Sequence, residues 1–219
     1  IVLVVAGPGL RETKRAETER RLAAIAFALV AERGFAHVTV DDIVEEARVS
    51  RRTFSNYYAC KEEAVAAVIV HDAADGLAGW SPAAVADGAG HAGGSAGLVD
   101  LVRGLVGHQF DAGVLARLVE LADLSSAHRQ LVPYVREAQW RLWSMAGEHA
   151  LEGGGHDDTD REVELDALLG AVFGVVSAQL SRRTPENPLP PPEPERIRAL
   201  VDGVLDRLAG GLAAGGPPA

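Results

Sequence analysis

The chain has 219 residues, of which 24% are charged and 47% hydrophobic, and its formal net charge is -10. This length is sufficient for a small domain and a larger one, each with a buried core. The single cysteine, Cys60, excludes an internal disulfide framework and fits a reducing compartment. The negative charge excludes a protein that binds nucleic acid over its whole surface.

The charge is unevenly distributed along the chain. Residues 1–71 contain ten lysines and arginines and ten acidic residues, whereas residues 72–219 contain eleven and twenty-one. The cations of the first part are Arg11, Lys14, Arg15, Arg20, Arg21, Arg33, Arg48, Arg51, Arg52 and Lys61. An acidic body that repels DNA would leave only a face of the first part able to approach it, so binding would be oriented and sensitive to salt.

The first residues, IVLVVA, are apolar but too few for a signal-peptide core, and no basic region precedes them. We assign no function to residues 1–9. Elsewhere no uncharged run approaches the roughly 18 residues that a membrane span requires. These features predict a cytoplasmic protein with no membrane partner.

A first helix is predicted over residues 20–35, because apolar residues recur at helical spacing and Gly34 is suited to its C-terminal cap. A second helix begins after Thr39, which forms a capping-box pattern with Asp42. Its apolar positions, spaced as one buried stripe, are Val40, Ile43, Val44 and Ala47. Ser50 is suited to cap a third helix that runs to Tyr58.

Polar groups that suit DNA crowd the third helix. Its first turn contains Arg51, Arg52 and Thr53, and Ser55, Asn56 and Tyr57 follow. Arginine pairs with phosphates and guanine edges, and hydroxyl and amide groups bond to bases or phosphates. Lys61 opens the next helix, where free backbone amides and a cation together suit a phosphate. Two short capped helices with a tight turn between them predict a helix-turn-helix.

From about Arg15 to Val68 the chain resembles the DNA-binding domain of the tetracycline-repressor (TetR/AcrR) family of bacterial transcription regulators. The residues that carry the resemblance are RRLAAIAFALVAERGF, TVDDIVEEARVS and RRTFSNYYACKEEAV. The resemblance implies that the helix opened by Ser50 is the recognition helix in the major groove. It places Arg51, Arg52, Thr53, Ser55 and Asn56 at bases and nearby backbone, and Thr39, Tyr57 and Lys61 at phosphates. It also implies that Phe54 and Tyr58 pack inward.

Three residues depart from the family pattern. Arg48 occupies a turn position where glycine is usual, and a left-handed backbone there would cost about 1–2 kcal/mol. A wider turn, or a phosphate contact by Arg48, is the alternative. Ser55 replaces a residue that is often aromatic. Cys60 stands where Ser, Asn or Asp would cap the next helix, and a thiol is a poorer hydrogen-bond acceptor. A redox switch at Cys60 is a subsidiary hypothesis.

Beyond Lys61 the spacing of apolar residues predicts helices, and no convincing alternation typical of a strand occurs. A helix to about Leu77 is followed by a Gly- and Ala-rich connector at residues 79–97. Further helices are predicted near 98–110, 112–123, 126–151, 160–182 and 194–209, with Pro133 either kinking the third or marking its beginning. The predicted fold is all-α, with an N-terminal three-helix DNA-binding domain at 10–60. A larger helical ligand-binding and dimerisation domain follows at 61–212.

Two seams in the last helices have no obvious cover. One is a small-residue stripe in the helix from residue 160, and the other is a broad apolar stripe in the final helix. The family resemblance implies that these helices form a four-helix bundle with a second subunit, although a monomer that buries both seams is the alternative. The predicted dimer residues are Gly170, Gly174, Ala178, Ile197, Leu200, Val201, Val204, Leu205 and Leu208.

The C-terminal part also contains aromatic and polar residues that suit a partly apolar effector pocket. The candidates are His108, Phe110, Arg117, Tyr134, Gln139, Trp140, Trp143, Met145 and Phe173. The histidines have no one-turn metal spacing, and no nucleophile signature or phosphate-binding glycine loop occurs. We therefore predict no catalytic residues, no metal and no cofactor.

The sequence predicts a ligand-responsive regulator, a repressor, that binds a pseudo-palindromic double-stranded DNA operator as a homodimer and is released by a small molecule. One alternative is a helical small-molecule-binding or scaffolding protein without operator specificity. An enzyme built on the C-terminal helices is a second alternative, which lacks an acid-base or nucleophile constellation.

Overall fold

The computed structural model describes residues 9–82, 95–151, 159–182, 190 and 192–214. These residues form nine α-helices and two short 3₁₀ helices, and no strand occurs within them, which confirms the all-α fold. The chain divides into two compact units, Ile1–His71 and Asp72–Ala219. The boundary predicted from the sequence, at residues 60 and 61, lies earlier, at the start of a helix that contains both positions 61 and 72.

The first unit contains α1 (Leu10–Arg33), α2 (Val40–Glu46), α3 (Arg51–Ser55) and the first part of α4 (Lys61–Ala78). A 3₁₀ helix at Phe35–His37, which the sequence pattern did not indicate, follows α1. Gly34 ends α1 as predicted, with a φ of 84° that glycine adopts readily. Its N–H donates to the Val30 carbonyl oxygen.

The core of this unit is apolar and well buried. Leu22, Ile43 and Phe54 are each at most 1% exposed, so α1, α2 and α3 share one interior. The Tyr58 hydroxyl bonds to two other elements, donating to the Glu19 carbonyl oxygen at 3.0 Å and accepting from His71 Nε2 at 3.1 Å. The predicted inward packing of Phe54 and Tyr58 is confirmed.

Of the alternatives left open at Arg48, the turn between α2 and α3 has the left-handed backbone. This residue has a φ of 53°, and it is the one non-glycine residue with positive φ in the described part of the chain. Its N–H donates to the Glu45 carbonyl oxygen, and the Val49 N–H donates to the Val44 carbonyl oxygen, both at 3.0 Å. Those two bonds form a Schellman motif, whose left-handed position glycine usually occupies.

Arg48→Gly is therefore expected to stabilise the first unit by about 1 kcal/mol, because glycine adopts positive φ without the steric cost of a Cβ atom. Native-state hydrogen exchange of the α1 amides measures the change. Arg48→Ala is the control, since it removes the guanidinium and keeps the strain. Equal stabilisation by both variants would show that the backbone is not the cause.

The second unit contains α5 (Ser95–Asp111), α6 (Val114–Ala127), α7 (Val132–Leu151), α8 (Thr159–Leu180) and α9 (Pro194–Ala214). Pro133 is the second residue of α7, so it marks the beginning of that helix and does not kink it. Helices α5, α8 and α9 pack against one another, and α7 packs on α8. Most of the predicted connector, residues 83–94, lies outside the described residues.

Arginines link α9 to α5 at both ends of their contact. Arg103 in α5 bonds to Asp202 at 3.1 Å and to Asp206 at 2.7 Å. Arg198 in α9 bonds to Asp111 at 2.6 Å, and its guanidinium lies 5.3 Å from the ring centroid of Phe110. These pairs add polar contacts between two helices whose stripes are otherwise apolar.

Candidate functional site

The candidate DNA-reading surface is the exposed face of α3 with the residues beside it. Ser50 caps α3 as predicted, with its Oγ accepting from the Thr53 N–H at 3.0 Å. The helix ends at Ser55, earlier than predicted, because Asn56 and Tyr57 close a turn through bonds to Thr53 and Phe54. Arg51, Arg52, Ser55 and Asn56 are exposed, whereas Phe54 faces the core.

Arg51 is paired within the chain. Its Nε lies 3.1 Å from Asp41 Oδ1, and its Nη2 donates to Asp41 Oδ2 at 3.2 Å. Both side chains are highly exposed, at 66% and 72%, so the pair is weak and a phosphate or base can displace the carboxylate. Asp41 therefore orients Arg51 across the α2–α3 turn without burying it.

Thr39 is part of a complete capping box at the start of α2. Its backbone N–H donates to Asp42 Oδ2 at 2.7 Å, its hydroxyl donates to the same oxygen, and the Asp42 N–H donates back to Thr39 Oγ1. The hydroxyl bond from Thr39, followed by the backbone bond, lowers the pKa of Asp42 below its ordinary value. The predicted phosphate contact of Thr39 would share a hydroxyl already used in the cap.

This pKa direction predicts a pH dependence. Because the folded pKa of Asp42 is depressed, its carboxylate contributes stability above the ordinary aspartate pKa of about 3.9. The contribution is lost as pH falls through the lower, folded-state pKa. In Thr39→Val, the pKa from carboxyl-carbon NMR titration is expected to rise toward the ordinary value. An unchanged Asp42 titration would show that the hydroxyl is not the main cause.

Lys61 has a structural role that the sequence did not reveal. Its Nζ donates to the carbonyl oxygens of Phe35 at 2.8 Å and Val38 at 2.7 Å, and it lies 4.2 Å from the Phe35 ring centroid. Two of its three N–H donors are thus directed at the protein. The ammonium joins the start of α4 to the segment before α2, and the phosphate contact remains a prediction for the third donor.

Lys61→Met is expected to destabilise the first unit by about 1.5–3 kcal/mol, because two charge-assisted hydrogen bonds are lost while the side-chain length is kept. Hydrogen exchange of the α1 and α2 amides measures this change. The salt dependence of DNA affinity separately tests the third donor, since losing one phosphate contact lowers the slope by about 1. An unaltered slope would restrict Lys61 to its structural role.

A basic groove extends the candidate surface beyond α3. The groove lies between the N-terminal part of α1 and the end of α3, and the Arg15 guanidinium is 5.9 Å from the Tyr57 ring centroid. Its lining residues are Arg11, Glu12, Lys14, Arg15, Thr18, Asn56 and Tyr57. The sequence showed the α1 cations but gave no reason to place them beside Asn56 and Tyr57. Arg21 instead donates to the Ala47 carbonyl oxygen at 2.8 Å and holds α1 to α2.

The second unit contains an apolar cavity of about 120 Å³ between α4, α5, α6, α7 and α8. Of the predicted pocket residues, Phe110, Gln139, Trp143 and Phe173 line it. Gln109 also lines it and was missed, although it is one turn beyond Leu105 on the same face of α5. A polar residue in an apolar stripe was the available signal.

The remaining predicted pocket residues lie elsewhere. His108 Nε2 donates to the Gly76 carbonyl oxygen at 3.0 Å, and Arg117 bonds to Asp72 at 3.1 Å and Glu120 at 2.7 Å. Trp140 is 53% exposed on the outer face of α7. Tyr134 and Met145 are not among the lining residues. Residue type alone therefore did not distinguish the cavity face of each helix from its neighbours.

The predicted dimer residues fall into two groups. Gly170, Gly174 and Ala178 form an exposed stripe on α8, and Leu200 is 36% exposed, with Val204 and Leu208 half-buried on α9. Ile197, Val201 and Leu205 are 0–1% exposed, so they belong to the core of the single chain, which corrects their assignment to the dimer surface. The final helix is apolar on two faces, and α5 and α8 cover one of them.

Helix α8 is apolar along most of its length. The segment Asp160–Leu180 is long and apolar enough to cross a membrane by length and composition, with 33% of its apolar window buried. A soluble core or interface helix has the same properties, so this is weak support for a span. The sequence analysis assigned this segment to a helix with a small-residue stripe and did not predict a span.

The sequence of the helix-turn-helix region is similar to that of known proteins. Residues 22–68 match the family described as bacterial regulatory proteins, tetR family. The HTH-type transcriptional regulator TcmR of Streptomyces glaucescens is 42% identical over 57 residues, which are 26% of this chain and 25% of that protein. The chain thus matches about a quarter of the length of this curated relative.

Similarity of fold extends further than similarity of sequence. The crystal structure of a protein described as a TetR-family transcriptional regulator, from Syntrophomonas wolfei, superposes with a TM-score of 0.53. The match covers 90% of this chain and 97% of the other at 13% identity, which supports the fold alone. With the helix-turn-helix geometry, the family match at residues 22–68 identifies this part of the chain as similar to the DNA-binding region of the bacterial tetR family of regulatory proteins.

Proposed function

We propose that the protein is a homodimeric repressor that binds a pseudo-palindromic operator and is released by a small-molecule effector. The observation that carries the proposal is the two-sided character of α3. Phe54 fixes the helix to the core at 1% exposure, while Arg51, Arg52, Ser55 and Asn56 face outward. A short, rigidly held helix that presents arginine, hydroxyl and amide groups is what major-groove reading requires.

A second copy would double this surface. The α8 stripe is open, since a Cβ atom added at Gly170 or Gly174 would meet no atom within 4 Å. Small residues allow close helix approach, and the half-buried apolar positions of α9 continue the surface. Two recognition helices related by a two-fold axis would read half-sites about 34–36 Å apart.

The dimer is tested by light scattering of the full chain. Ala178→Glu introduces a charge into the proposed interface and is expected to shift the mass toward the monomer. Ala127→Glu, at an exposed alanine outside the stripe, is the control and is expected to leave the mass unchanged. A monomeric unmodified protein, or equal masses for all three, would contradict the proposed interface.

Effector release would act through α4. This one helix has Lys61 at its start, bonded to the first unit, and the cavity-lining residues Ala73 and Leu77 near its end. A ligand that binds one helix position better than another shifts the separation of the two readers and the fit to successive major grooves. Loss of half-site fit would then release the operator.

DNA binding is tested by fluorescence anisotropy with duplexes from the upstream region of the gene and with duplexes selected from a random pool. We expect selected duplexes to compete with random DNA at much lower concentration and binding to weaken steeply with salt. Failure to select any duplex above background would favour the alternative function, a helical small-molecule-binding or scaffolding protein without operator specificity.

A further inference from the structure

The cavity in the second unit is apolar, and its described lining contains no ionisable residue. Its wall includes the rings of Phe110, Trp143 and Phe173. The polar residues among the described lining positions are Gln109, Gln139 and Ser177, and none of these positions is Asp, Glu, His, Lys or Arg. A charged ligand would lose its hydration there without gaining a counter-charge from these residues.

Two buried polar atoms of the wall lack a hydrogen-bond partner among the described residues. They are Gln109 Oε1, an acceptor, and Trp143 Nε1, a donor. Buried polar groups in native proteins are almost always paired with protein or water, so these two atoms of opposite kind need partners that the described residues do not provide, and a ligand in the cavity could provide both. Gln139, by contrast, has no buried side-chain atom that lacks a partner in this way.

The orientation of the Gln109 amide is fixed by its surroundings. Its Nε2 donates to the Ala73 carbonyl oxygen of α4 at 3.1 Å, which leaves Oε1 as the unpaired atom. Gly76 provides the space for that amide, because a Cβ atom there would lie 2.7 Å from Oε1. The acceptor is therefore held in place by α4, the helix proposed to transmit the effector signal.

We propose that the effector is an uncharged, largely aromatic compound with a hydroxyl-type group that accepts from Trp143 and donates to Gln109. This inference rests on the proposed function in one respect, which is that the cavity is the effector site. A hydroxyl satisfies both requirements, since it has one donor and two acceptor lone pairs. The aromatic wall suits a ring, and the cavity of about 120 Å³ is somewhat smaller than a cavity of about 150 Å³ that accommodates benzene in another protein, which limits the ligand to about one ring.

The test uses three single-ring probes of similar shape: 4-methylphenol, p-xylene and 4-methylbenzoate. Titrations of the full chain are followed by ¹⁵N–¹H NMR of the indole groups, of which the chain has only three. The Trp143 indole resonance is assigned from its absence in Trp143→Phe. We expect 4-methylphenol to bind at least about tenfold more tightly than either other probe and to shift that resonance downfield, since leaving buried polar atoms unpaired is costly.

Two variants test the proposed contacts, and a third is the control. Trp143→Phe and Gln109→Met are each expected to remove most of the preference for 4-methylphenol over p-xylene while p-xylene still binds. Trp140→Phe alters the neighbouring indole, whose centroid is 4.7 Å from that of Trp143, and is expected to keep the preference. Retention of the preference in both cavity variants would overturn the assignment.

The benzoate probe distinguishes the proposed chemistry from an anionic one. Gln139 also borders a second groove, which contains Arg129 and Arg136, and a carboxylate would be drawn toward those arginines. Equal or tighter binding of 4-methylbenzoate would overturn the proposal, as would equal binding of p-xylene or no binding of any probe. Operator anisotropy is measured in parallel. Selective 4-methylphenol binding with unaltered DNA affinity would support the ligand class and contradict effector release.

Discussion

Replacing Arg51 and Arg52 together with alanine is expected to weaken operator binding at least about 30-fold, since each well-placed arginine contributes about 1–3 kcal/mol of base discrimination. Both side chains lie in the first turn of α3, and in helix-turn-helix proteins the N-terminal residues of the recognition helix contact base edges. Both are exposed, so their loss is expected to leave the fold intact. Asp41 loses its partner Arg51, and its unpaired carboxylate adds to the repulsion of DNA.

Anisotropy titrations of the selected operator at several salt concentrations measure this effect. Arg136→Ala with Arg141→Ala is the matched control, because both arginines are exposed and lie on α7 in the second unit. This control also removes two positive charges, without altering the proposed surface. Equal losses in the control and the double variant would show that net charge, and not the α3 surface, governs binding. Loss of affinity without loss of specificity would reassign both arginines to phosphates.

Phe54→Ala is expected to destabilise the first unit by about 3–5 kcal/mol, the usual cost of removing a buried phenylalanine from a core. The Phe54 ring is 1% exposed and lies 5.9 Å, centroid to centroid, from Tyr58. Alanine would leave a cavity beneath α3. Because α3 has only five residues, it depends on this packing for its position. Operator affinity is therefore expected to fall as well.

The measurement must observe the first unit specifically. Trp80, Trp140 and Trp143 all lie in the second unit, so tryptophan fluorescence does not report on Phe54. Urea-dependent hydrogen exchange of α1 peptides measures the stability of the first unit directly. Ser55→Ala, at the adjacent exposed position, is the control and is expected to alter stability by less than about 0.5 kcal/mol. Comparable losses in both variants would contradict the inward role assigned to Phe54.

The local features of the DNA-binding region could be read from the sequence because their causes lie within four residues. Thr39 and Asp42 form their capping box at i and i+3, Ser50 caps Thr53, and Gly34 ends α1. At Arg48 the sequence left a left-handed backbone and a wider turn open, and the structure has the left-handed backbone. The match at residues 22–68 confirms the predicted resemblance of this region to the TetR family, and the helices of the described residues confirm the predicted all-α fold.

The periodicity of the sequence could not predict contacts between residues that are distant along the chain. A stripe of apolar residues shows that one face of a helix is buried, but not which partner covers it. Ile197 was therefore assigned to a second subunit, although it lies in the core of its own chain. The same limit placed His108 in a pocket, whereas its neighbour Gln109 lines the cavity.

The sequence by itself determined the helix-turn-helix, its caps and the exposed arginines of α3, since hydrogen bonds at i and i+3 and a 3.6-residue period specify these features locally. Only the tertiary structure decided what the side chains contact. It directed Lys61 to two carbonyl oxygens, paired Arg51 with Asp41, and brought Gln109 and Trp143 to one cavity. These outcomes depend on which helices meet and at what rotation, and packing of the whole chain sets both.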